Sequence, residues 1–171
     1  GTVMRVALIG GTGFVGQYLV DALLEGGHDV SLLVRRGSEG KVQADVWRKI
    51  SGDTADDSAV AATVAECDAV IYNVGILRES SGQGITFESL QFGGVVRAVD
   101  AAKSAGVRRF LLMSANGAKV PGTPYQETKK RAEDHVLSSG LDATVFRPSV
   151  IFGDPKGKME IATQLCRDLV R

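Results

Sequence analysis

The chain has 171 residues, with 20 basic and 20 acidic side chains and 44% hydrophobic residues, which is enough apolar material for the core of one globular domain. Zero net charge excludes a nucleic-acid binder that works by bulk charge. No stretch approaches the ~20 uninterrupted apolar residues of a membrane-spanning helix.

Gly1-Thr2-Val3-Met4-Arg5 runs straight into a strand-like segment rather than a signal peptide's hydrophobic stretch, so a cytoplasmic protein is expected. The 21 glycines accompany only 4 prolines, which assigns the glycines to turns and close approaches rather than to a disordered linker. Cys67 and Cys166 form neither a metal-ligand spacing nor a disulfide framework, and no metal site is expected.

Short β-branched runs alternate with longer segments of helical period, the signature of an α/β fold with a doubly wound parallel sheet of about six strands. The spacing predicts a strand over Val3 to Ile9 and a helix over Phe14 to Glu25. Strands over Asp29 to Val34 and Val46 to Ile50 come next, then a helix over Ser58 to Ala65 and a strand over Ala69 to Val74. A long helix is expected over Phe87 to Ser104, a strand over Arg109 to Met113, a helix over Pro124 to Ser139 and a strand over Ala143 to Phe146. A last helix near Met159 to Val170 runs into Arg171 with no glycine cap or following strand.

Gly26-Gly27, Gly106 and Gly140 each sit just past a helical segment, where positive φ often ends a helix. Thr123-Pro124-Tyr125-Gln126 reads as a capping box with proline at the first helical position. The Ser80-Ser81-Gly82-Gln83-Gly84 cluster reads as a flexible loop.

Between the first strand and first helix lie Gly10, Gly11, Thr12, Gly13, Phe14, Val15 and Gly16, which satisfy both GxGxxG and GxxGxxG spacings. Glycine lets the backbone turn sharply and approach a pyrophosphate without a Cβ in the way, and the helix N-terminus presents N–H groups to the anion. A tight strand-to-helix turn with no ligand is the plainer alternative. The second strand closes on Val34-Arg35-Arg36-Gly37-Ser38, with no carboxylate there to repel a 2′-phosphate. Arg35 and Arg36 therefore favour NADP over NAD, the alternative being a solvated arginine pair. Asp53, after the third strand, falls near where an adenine edge would lie, or else caps a helix.

With these pieces in place the whole chain resembles the short-chain dehydrogenase/reductase superfamily, in its atypical or extended branch, which includes NmrA-like proteins and relatives of a nucleotide-binding accessory subunit of respiratory complex I. The resemblance rests on the glycine loop, Gly52-Asp53, Asn73-Val74-Gly75, Gly106 to Phe110, Ser114, Tyr125 to Lys129, and Arg147 to Gly153. It implies a Rossmann domain over residues 1–171, cut before a smaller substrate lobe. It also implies that Asn73, Val74 and Gly75 line the cofactor and that Tyr125, Lys129 and Ser114 are catalytic. Tyr125 and Lys129 lie four apart on one helix, so the ammonium is expected to lower the phenol's pKa and ready it for proton exchange with a carbonyl or alcohol. Ser114 would donate to the same substrate oxygen, and Lys129 would also hold the nicotinamide ribose. A packed tyrosine beside a snorkelling lysine is the alternative.

Gln91 stands where extended members often carry asparagine. Lys130 and Arg131 should face solvent, and His28 and His135 should serve packing or the surface. The resemblance implies a small-molecule substrate, no nucleic acid, and a possible homo-oligomer or protein partner. The first functional reading is an NADP-preferring oxidoreductase or epimerase/dehydratase-type enzyme acting on a small carbonyl or alcohol; a nucleotide-binding regulator or assembly protein, with no redox step, is the second.

Overall fold

Strands that are apolar at successive positions must be covered on both faces, and the chain meets that demand with helices on either side of one sheet. The computed structural model describes residues 3–11, 13–42, 44–74, 79–114 and 117–147, together with Thr163, Gln164, Arg167 and Leu169. In chain order these form β1 (Arg5–Ile9), α1 (Phe14–Glu25), β2 (Asp29–Val34), β3 (Arg48–Ser51), α2 (Asp57–Val64) and β4 (Ala69–Tyr72). A π-helical segment, Glu88–Gly93, leads into α3 (Gly94–Ser104), followed by β5 (Arg109–Met113), α4 (Pro124–Leu137) and β6 (Asp142–Phe146).

All pairings are parallel, and the strand order is β3-β2-β1-β4-β5-β6. The sequence therefore winds outward one way from β1 and then the other, which opens a crevice beyond the carboxyl ends of β1 and β4. Side chains alternate with period two. Ala7, Ile9, Val70, Tyr72, Phe110 and Leu112 meet the α2, α3 and α4 layer, whereas Val6, Leu8, Leu32, Ile71 and Leu111 meet α1 through Leu19 and Leu23. Of the helix expected near Met159 to Val170, Thr163, Gln164, Arg167 and Leu169 are helical, with Leu169 buried in the α1-side core, and the other residues lie outside the described ones.

Differences from the sequence reading have local causes. Val3 is exposed and the strand starts at Arg5, where pairing to Asp29 begins. β3 starts at Arg48 rather than Val46 because Val46 N–H is spent on the Ala44 carbonyl in a turn. The helix expected from Phe87 opens as a π turn, and the buried Tyr72 hydroxyl donates to the Leu90 carbonyl within it, at 2.6 Å. The Ser80 to Gly84 cluster is a closed turn, with Ser80 bridged to Ile85 and a 3-10 turn at Ser81–Gln83.

The capping box is formed: Thr123 Oγ1 accepts from Gln126 N–H and Gln126 Oε1 from Thr123 N–H. Gly27, Gly106 and Gly140 adopt φ of +79°, +74° and +85°. His28 is buried and its Nδ1 accepts from Met4 N–H, while Lys130 pairs with Asp134 and Arg131 with Glu88 at the surface.

Candidate functional site

The loop leaving β1 is built from glycines that the backbone itself requires. Gly10 has φ +102°, and a Cβ there would lie 2.2 Å from the Asn73 carbonyl oxygen; one on Gly16 would lie 2.2 Å from the Gly10 carbonyl oxygen. Asn73, one residue past β4, returns a side-chain N–H to the Gly10 carbonyl at 3.2 Å and so ties the loop to the neighbouring strand. Gly13 is different, because a Cβ there would meet nothing within 4 Å.

That bare position is also the N-cap of α1. No side chain caps the helix there, and its first turn holds no acidic residue. An uncapped helix start with positive dipole and no acidic residue in its first turn fits an anion, and the cradle fits a diphosphate. Thr12, Gly75 and the Phe14 side chain lie outside the described residues.

Arg35 and Arg36 follow β2 and both are exposed, with Arg36 3.9 Å from Asp56. Asp53 does not cap a helix. Its Oδ1 accepts from Ala55 N–H at 2.7 Å in the turn after β3, and Asp56 is the residue that caps α2, accepting from Ala59 N–H at 3.1 Å.

The second half of the site stands on α4. Tyr125, Lys129 and Glu133 repeat every four residues and so share one face. Ser114, just past β5, and Arg147, just past β6, close on that face. Ser114 Oγ donates to Glu133 Oε2 at 2.6 Å, and Arg147 Nε donates to the same oxygen at 2.8 Å while its terminal nitrogen pairs with Oε1. Glu133 is only 2% exposed, and it joins three elements. Sequence reasoning stopped at the Tyr125–Lys129 pair, although the next step of the same spacing pointed to Glu133.

Two sequence expectations meet new partners here. The Ser114 proton is engaged by Glu133, so a substrate oxygen that took it, as expected, would compete with that carboxylate. The Tyr125 phenol is not lowered. Burial raises it, and Lys129 Nζ sits over the ring at 5.9 Å from its centre, held there by a helix that offers the ring's face.

Lys129 is shifted strongly, and in the opposite direction to Tyr125. Burial pulls its ammonium down to about 8, with the Glu133 carboxylate opposing. Gln91, 2% exposed in the π segment, donates to Thr128 Oγ1 at 2.8 Å, and its own Oε1 has no partner among the described residues. It braces α4 beneath Tyr125, whose ring meets Phe87 edge-on at 5.6 Å. His135 lies edge-on to Phe92 at 6.1 Å, away from this cluster. Among the described residues no group of three or more His, Cys, Asp or Glu is placed to hold a metal ion.

Burying a charged Lys129 has a stability cost with a definite pH window. Its folded pKa, about 8, lies below the unfolded value of about 10.4. The cost is therefore fully present below about pH 8 and is relieved as pH rises toward about 10. Lys129→Met is expected to stabilise the fold at pH 7 by on the order of 1–3 kcal/mol, and by less at pH 10. Urea unfolding at the two pH values checks this, and a loss of stability at pH 7 would contradict it.

A parallel sheet of this order, with a bare glycine-lined helix start at its central crevice, defines a dinucleotide-binding Rossmann protein. Residues 10–166 match the family described as NAD(P)H-binding, and the chain belongs to that family. It is 31% identical over 150 residues to the ceramide reductase of Caulobacter vibrioides, covering 86% of this chain and 46% of the reductase. A protein named sugar epimerase YhfK, from Bacillus subtilis, is 28% identical over 98% of this chain and 82% of its own length. The fold matches the enzyme WbmH of Bordetella bronchiseptica, solved in complex with NAD+, with a TM-score of 0.73 and 20% identity over 85% of this chain and 56% of that one. The chain thus spans about half the length of the reductase it resembles, and the atypical short-chain dehydrogenase/reductase resemblance agrees with all three findings. Among the described residues no helix is long and apolar enough to cross a membrane.

Proposed function

We propose that this chain binds NADP(H) in preference to NAD(H) and serves an oxidoreductase or epimerase-type reaction on a small carbonyl or alcohol. One observation carries the reading: the glycine loop after β1, Asn73 after β4, Ser114 after β5 and the Tyr125–Lys129 face of α4 all belong to the carboxyl edge of one parallel sheet. The nicotinamide, when bound, supplies or takes the hydride.

The chain's own residues do the rest. Gly10, Gly11, Gly13, Val15 and Gly16, with Thr12 and Phe14, form the diphosphate loop; Asn73, Val74 and Gly75 flank it, Arg35 and Arg36 take the 2′-phosphate, and Asp53 edges the adenine. Tyr125 exchanges the proton with the substrate oxygen. Lys129 holds the ribose with an ammonium whose burial strengthens each hydrogen bond it makes. Ser114, its proton held by Glu133, accepts from a substrate hydroxyl.

A second reading is a sensor that binds NADP(H) without a redox step. Two measurements test them, the first their shared coenzyme preference and the second the redox step that separates them. Calorimetry is expected to show tighter binding of NADPH than of NADH, and Arg35→Ala should cost about 1.5–3 kcal/mol for NADPH and little for NADH. Equal losses would refute the 2′-phosphate assignment. Incubating the NADPH-bound protein with a broad carbonyl panel should then consume NADPH, whereas the sensor predicts binding alone.

A further inference from the structure

The turn from β2 to β3 holds an anion of its own. Gly37, at φ +89°, donates its N–H to Glu39 Oε2 at 2.8 Å, and Ser51 Oγ donates to Glu39 Oε1 at 3.2 Å. Ser51 closes β3 directly beside Val34, which closes β2, so Glu39 lies across the carboxyl ends of both strands. Arg36 meanwhile faces Asp56 at 3.9 Å. Hydrogen bonding at its own backbone amide outweighs the opposing desolvation and, with the Gly37 amide, the Ser51 hydroxyl and the Arg36 charge, holds the Glu39 carboxyl below its ordinary value. An amide N–H, a hydroxyl and a guanidinium beyond the end of β2 are therefore all engaged by carboxylates of the chain itself.

We infer that Glu39 sets the coenzyme preference: its carboxylate holds the donors on Gly37 and Ser51 that a 2′-phosphate would take. The inference rests on the proposed placing of the adenosine ribose beyond β2. A phosphate dianion and a carboxylate cannot share these donors, because both are acceptors only and both are negative. NADP(H) must drive Glu39 off Gly37 and Ser51 to gain those donors beside Arg35 and Arg36. NAD(H) carries a 2′-hydroxyl instead, which can donate to a carboxylate left in place. Arg35 and Glu39, four residues apart in one turn, thus pull in opposite directions, and the preference is their balance.

Glu39 is exposed and its removal leaves no buried group unpaired, so the test does not depend on a fragile variant. Kd values for NADPH and NADH are measured by calorimetry on the wild-type chain, Glu39→Gln, Glu39→Ala and Arg35→Ala. Glu39→Gln removes the charge and keeps an acceptor for Gly37; it is expected to tighten NADPH about fivefold or more without tightening NADH, and the shift should shrink as salt is raised. Glu39→Ala should move the ratio the same way. A ratio unchanged in both Glu39 variants, or both coenzymes tightening alike, overturns the inference. Failure of the underlying reading looks different: Arg35→Ala then weakens the two coenzymes equally. Absence of binding to either coenzyme overturns both.

Discussion

Tyr125→Phe is expected to lower turnover by about 10²- to 10⁴-fold, the usual worth of a positioned proton donor, while leaving NADPH affinity nearly unchanged. The substitution deletes one oxygen. It keeps the ring that meets Phe87 edge-on and the face over which Lys129 lies, so α4 has no reason to repack. The direction of the Tyr125 shift adds a pH signature. Burial raises the phenol, so at neutral pH it carries its proton and is already in the state needed to donate to a carbonyl oxygen. Carbonyl reduction should therefore hold steady through neutrality and fall only in alkali, while alcohol oxidation, which needs the phenolate, should climb with pH. Single-turnover rates with whichever carbonyl consumes NADPH, compared between wild type and variant, check both points. Undiminished turnover in Tyr125→Phe would remove the tyrosine from the chemistry.

What could be read in advance follows from the range of the interactions involved. β2 and β5 have the bounds that the apolar pattern predicts, because the pattern and the burial are the same fact for strands covered on both faces, and α1 has its predicted bounds because a glycine stands at each end. The start of α4 was legible for a different reason: a capping box is a contact between residues three apart and is written whole in Thr123 to Gln126. The π turn at Glu88–Gly93 was not, since the Tyr72 hydroxyl that supports it comes from another strand. The same holds at the candidate site. That Tyr125 and Lys129 share a helix face is local, but whether the ammonium reaches the phenol oxygen or the ring depends on packing, and so does the sign of the phenol's shift. Ser114 reads as a donor until Glu133, 19 residues on, claims its proton. Glu39 carries no local sequence signal, because its partner Ser51 is brought beside it only by strand pairing.

Glu133→Ala should be the most destabilising single change at this site, by about 2–4 kcal/mol in urea unfolding. The carboxylate is all but sealed from water, with 3% of its side chain exposed, and its loss leaves the buried Ser114 hydroxyl without its acceptor. Lys129 also loses the charge that offsets its desolvation. Arg147, with 41% of its side chain exposed, can return to water, which keeps the figure below that for a fully buried pair. Glu133→Gln preserves the shape and one acceptor and should cost less than the alanine variant. The informative comparison is in the Lys129→Met background. If Glu133 helps the native state partly by countering the buried ammonium, Glu133→Gln must be cheaper once that ammonium is gone, and the two changes will not add. Strict additivity would show that Glu133 acts through Ser114 and Arg147 alone, as a clamp on the ends of β5 and β6.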